Sequence, residues 1–156
     1  MRSNFAATRR IFILATIGLL TSNELLTAQK AAAPVNANRR GIAIKGYDVV
    51  AYFQQGAPAK GQPQFSHVWN NATFLFSNAE NRDLFAKSPE RYAPQFGGYC
   101  AWAVGHNYTA DADPEAWKIV DGKLYLNYNK DVQKKWVEDQ GRWIAEGERN
   151  WPGLHR

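Results

Sequence analysis

Four side chains in this 156-residue sequence could do chemistry: Cys100, which is the only cysteine, and the histidines His67, His106 and His155. A lone thiol has three uses. Ionised, it is a ligand for soft metals. Beside a base it is a nucleophile or a redox group. Between apolar neighbours it is a small buried hydrophobe. Cys100 lies in Gly97-Gly98-Tyr99-Cys100-Ala101-Trp102-Ala103, which reads as a strand after a tight change of direction at the two glycines. Packing is the first expectation for a thiol in that setting. His67 alternates with Phe65 and Trp69, so a strand would put all three on one face. Cys100 and His67 then form the thiolate and imidazole pair on predicted strands, a donor set suited to copper or zinc. Two protein ligands leave coordination positions open, which implies weak or exchangeable metal binding. His106 falls in a polar loop, and His155 in a tail expected to fray.

Catalysis asks for more than these residues offer. A dithiol oxidoreductase uses a resolving cysteine, and the chain has no second one. A cysteine hydrolase needs His67 or His106 within hydrogen-bond reach of Cys100. The sequence therefore favours a non-catalytic binding module, for a metal ion or a partner protein. A thiol-dependent enzyme using Cys100 with a nearby histidine is the alternative.

The elements that must position these groups are legible in part. Trp117–Val120 and Lys123–Tyr128 flank Asp121-Gly122, a strong signal for a type I′ hairpin. A second hairpin runs from Phe65 to Phe76 around Asn70-Asn71. Ile42 and Ile44 alternate toward one face, and Gly46-Tyr47-Asp48 turns into Val49–Phe53. Ser77-Asn78-Ala79-Glu80 matches a capping box and predicts a helix, and Ser88-Pro89 and Asp113-Pro114 each open a short turn. Asn129 is placed to cap a long helix with Val132, Trp136, Val137, Trp143 and Ile144 on one stripe, weakest at Gly141. The predicted fold is α+β: a small antiparallel sheet made from two hairpins plus the cysteine-bearing strand, packed by a short helix and a long C-terminal helix. The aromatics, six tryptophans among them, read as core and rim.

The first residues read as an address. Arg2, Arg9 and Arg10 precede the apolar run Ile11–Leu20, and Leu26-Thr27-Ala28 is a small-residue cleavage context. Ten apolar residues fall short of the roughly 20 that a membrane helix takes, so residues 1–28 are expected to be an export signal and not an anchor. Thr8-Arg9-Arg10-Ile11-Phe12-Ile13 also resembles the twin-arginine pattern. Residues 29–40 read as a flexible tether and 41–154 as one domain. Setting the signal aside removes three positive charges and one negative, which takes the formal net charge from +5 to +3. The remaining charges are interspersed, which with export argues against a nucleic-acid partner. The expected location is the bacterial periplasm.

Gly46-Tyr47-Asp48-Val49-Val50-Ala51-Tyr52-Phe53, the Phe65–Phe76 hairpin, Ser77–Phe85 and Pro89-Glu90-Arg91-Tyr92 together resemble a YHS domain. Gly97-Gly98-Tyr99-Cys100-Ala101, Asp113-Pro114-Glu115-Ala116-Trp117 and Asp121–Asn129 resemble the extension of its exported, stand-alone branch. The resemblance implies that metal-associated members carry cysteines where this chain has Ala51, Ser77 and Asn81. A thiolate metal site of that kind is not expected here.

Overall fold

The computed structural model describes residues 31–155. The expected export signal lies outside them. Strands β1 (Gln62–Trp69) and β2 (Ala72–Phe76) form the first hairpin, and β3 (Asp113–Val120) and β4 (Lys123–Asn127) the second. Asn70 and Asn71 have φ of 47° and 60°, and Asp121 and Gly122 have φ of 51° and 74°. Both central residues of each turn are thus left-handed, the type I′ condition whose twist matches that of paired strands. The hairpins do not join. Each is its own two-stranded sheet, which corrects the expectation of one sheet containing both. Isolated parallel bridges cap them, Ile42 beside Thr73 on β2 and Cys100 beside Leu126 on β4.

Strand β4 is buried on both faces and stands between two hydrophobic cores. Leu124 and Leu126 enter the larger one with Val49, Val50, Tyr52, Phe74, Phe76 and Phe85. Tyr125 points the other way, into a core with Phe96, Val104 and Trp136 that Trp143 and Ile144 cover. The alternation is the period of two that a strand imposes.

The helices are α1 (Ala51–Gln54), α2 (Ala79–Lys87), α3 (Pro89–Tyr92), α4 (Ala101–Gly105), α5 (Lys130–Glu138) and α6 (Gln140–Leu154). The mixed α+β class is as expected, with several local corrections. The cysteine-bearing strand does not form: Cys100 makes one bridge and then becomes the N-cap of α4. Its N–H is taken by the Ala110 carbonyl at 2.9 Å, and the Trp102 N–H by Asn127 Oδ1 at 3.2 Å, which fixes where the helix starts. Asn78, not Ser77, caps α2, accepting the Asn81 N–H at 2.8 Å. Asp113 does make its local turn bond, to the Glu115 N–H at 2.9 Å, yet the chain runs on as β3.

The long C-terminal helix is two helices. Asn129 caps α5 through the Val132 N–H at 2.8 Å, but Asp139 leaves helical geometry at φ −143° and ψ 48°. The expected stripe is also uneven within α5 itself. Trp136 is fully buried, while Val137 is 38 % exposed. Among the described residues no helix is long and apolar enough to cross a membrane.

From residue 31 onward the expected tether is laid against the domain. The Ala32 N–H donates to the Leu154 carbonyl and the Asn36 N–H to that of Gly97, both at 2.8 Å, and Val35 is 4 % exposed. Asn36 Nδ2 adds bonds to the Gly98 carbonyl at 3.2 Å and to Asp111 Oδ1 at 3.0 Å. Val35 and the Asn36 amide join these backbone bonds in holding a segment whose composition reads as linker. The fit depends on Gly97, at φ 61°, where a Cβ would collide with the Pro34 carbonyl oxygen.

Candidate functional site

Cys100 sits at the base of a 240 Å³ cavity walled by Trp102, Ala103, Tyr108, Ala110, Tyr128 and Val132. Its side chain is almost wholly buried, and Sγ accepts the Tyr128 N–H at 3.2 Å. The S–H faces Asn127 Oδ1 at 3.9 Å, and that oxygen also accepts the Trp102 N–H at 3.2 Å. Burial pushes the thiol pKa up, against the opposing pull of the Ala103, Tyr128 and Trp102 amides. A buried thiol held in its protonated form is a poor nucleophile.

The histidines lie elsewhere. His67 is half-buried on β1, edge-on to Phe85 with ring centroids 6.0 Å apart, and does not line the Cys100 cavity. The structure therefore does not bring the sequence-predicted pair into one pocket. His106 is exposed, as expected of a polar loop. Its ring also packs against Trp102 and Trp143, at 4.3 and 4.2 Å, and its Nδ1 meets the Trp102 carbonyl at 2.7 Å. His155 repeats the device: it stacks on Trp151 at 4.1 Å, with Nδ1 2.7 Å from that residue's carbonyl. The expected frayed tail is thus pinned. Among the described residues no group of three or more His, Cys, Asp or Glu side chains is arranged to hold a metal ion.

The positions Ala51, Ser77 and Asn81 converge on the fully buried Asp48. Its Oδ1 accepts the Val50 and Ala51 N–H groups at 2.9 and 3.2 Å. Its Oδ2 accepts the Ser77 N–H and hydroxyl at 2.8 and 2.7 Å, and Asn81 Nδ2 at 2.7 Å. Five donors satisfy both oxygens of a carboxylate buried away from solvent. The Oδ1 bonds also explain why Val49–Phe53 turns into α1, since an aspartate that takes the first N–H groups caps a helix. This set ties the 48–51 turn to the start of α2 and is fully spent on itself.

A second concavity is a groove of 540 Å³. Its wall comes from six stretches of chain: Pro34, the Trp69-Asn70 turn, Glu90, Ala93–Gly97, Lys123, and the end of α6 from Glu148 to His155. Its floor is the turn at Phe96 and Gly97, left-handed at φ 55° and 61°. A bulky residue seldom adopts that conformation. Phe96 is held there because its ring lies over Gly147 of α6, where any side chain would collide with it. Sequence reasoning missed this groove. No spacing rule links residues 34, 69, 90, 123 and 151, which only tertiary folding gathers.

The chain matches no known protein family, no curated protein and no solved structure.

Proposed function

We propose that this protein is an exported, non-catalytic, YHS-like binding module whose ligand site is the groove over Phe96-Gly97. What carries the reading is that 540 Å³ concavity, a volume suited to a small organic ligand, formed by six stretches of chain around a strained turn. The thiol supports it from the other side. Cys100 is bonded to Tyr128 and Asn127 and to no histidine, so a base for thiol chemistry is missing from its contacts. A soft-metal role finds less support, since Asp48, Ser77 and Asn81 are occupied with one another. The test is a screen of small organic compounds, read out by amide and indole chemical shifts of the full chain. Hits that shift Gly97, Asn70 and the Trp151 indole are the expected result. Hits confined to the Cys100 cavity, or none at all, would overturn the assignment.

A further inference from the structure

Resting on the groove as the ligand site, the chemistry of its wall indicates what enters it. Pro34, Pro94 and Pro152 line the groove and have no N–H, and the amides of Asn70 and Gln95 can turn either a donor or an acceptor toward it. Nδ1 of His155 faces the Trp151 carbonyl, which can only accept, so in the neutral ring the proton sits on Nδ1 and Nε2 is the acceptor. Two carboxylates, Glu90 and Glu148, face one ammonium, Lys123. Lys123 lies 3.7 Å from Glu148, which balances that pair. Glu90 is exposed and makes no ion pair or hydrogen bond among the described residues, so the groove keeps one uncompensated negative charge on a chain of formal charge +5. The aromatic rings of Trp69 and Trp151 add π-electrons to this wall.

We infer that the groove binds a small organic cation, a quaternary or protonated amine. Such a ligand supplies the positive charge that Glu90 lacks and is attracted by aromatic rings. An anion such as a phosphate or carboxylate would meet two carboxylates and one ammonium already paired with Glu148. A cationic side chain of a protein would share the chemistry, and the experiment separates the two sources.

Choline is titrated into the full chain while the Trp69 and Trp151 indole signals are monitored, with 3,3-dimethylbutan-1-ol as its neutral isostere and a lysine-containing peptide as the macromolecular probe. Choline should shift both indoles, the isostere should leave them unmoved, and Glu90→Gln should weaken choline about fivefold, as for an exposed charge pair. Added salt should weaken it in parallel. If choline and the isostere bind alike and Glu90→Gln changes nothing, the cation inference falls while the groove remains a binding site. Shifts with the peptide and none with choline would overturn the small-molecule form. If neither amine perturbs the groove, the inference fails, and the wider compound screen decides separately whether the groove binds anything.

Discussion

The Asp48 carboxylate and the Asn81 amide lie 2.7 Å apart, Oδ2 to Nδ2, with Asp48 fully buried and Asn81 5 % exposed. The bond joins residues 33 apart in sequence and locks the 48–51 turn to α2. Asp48→Asn would replace one acceptor oxygen by an N–H₂ group facing donors, whichever way the amide turns. We expect a loss of about 3 kcal/mol, the cost of leaving buried partners of a charged group unmatched. Urea denaturation measures it, and a loss below about 1 kcal/mol would show that the network relaxes freely.

Gly97→Ala should be costly for two reasons that add. The left-handed backbone is worth about 1–2 kcal/mol against any residue with a Cβ, and the new methyl meets the Pro34 carbonyl. Gly122, left-handed at φ 74° but with open space where a Cβ would stand, is the control. Gly97→Ala should destabilise more than Gly122→Ala. It should also speed hydrogen exchange at Asn36, whose N–H bonds to the Gly97 carbonyl. Equal effects at the two glycines would mean that the 31–40 segment contributes little.

Cys100 should react slowly with a thiol reagent in the native state and fast in denaturant. Its pKa is raised from the ordinary 9.0, chiefly by burial. A raised folded value means that the proton is held more tightly in the native state. The stability this contributes is full below about pH 9 and is lost as pH rises through the folded value. Cys100→Ala should therefore flatten the alkaline limb of a stability profile. Rapid native labelling at neutral pH would show instead that the cavity opens readily to the sulfur.

His106 and His155 should both populate the tautomer with the proton on Nδ1, because each Nδ1 faces a carbonyl 2.7 Å away that can only accept. Nitrogen-15 shifts of the ring atoms, read where both imidazoles are neutral, distinguish the two forms. Protonation at Nε2 in either ring would contradict the bonds described.

What the sequence made legible was local. Asn70-Asn71 and Asp121-Gly122 specify their turns through residues adjacent in the chain, and Asn129 caps the helix it precedes. Glycines 97 and 98 mark a backbone of unusual freedom, but that freedom leaves open whether a strand or a helix comes next. The helix at Ala101 has no local signal, because its start is fixed by Ala110 and Asn127, which lie beyond any short window. Ser77 has the right spacing to Glu80 for a cap, yet Asp48, 29 residues away, claims its hydroxyl. Cys100 and His67 pair on donor chemistry alone, and chemistry carries no distance. The groove has no sequence signature, since its charge balance arises only when Glu90, Lys123 and Glu148 are brought into one wall.

Strand β4 serves two interiors at once, Leu124 and Leu126 in one and Tyr125 in the other. In an ordinary edge hairpin a slip of one residue turns an apolar face to water, and the penalty falls on one side. Here the same slip would exchange the occupants of both interiors, driving the fully buried Asn127 into the larger and withdrawing Tyr125 from beside Trp136, 5.4 Å away. The two residues at Asp121-Gly122 therefore proofread the whole molecule, because a mispaired hairpin would find no packed state on either side in which to settle.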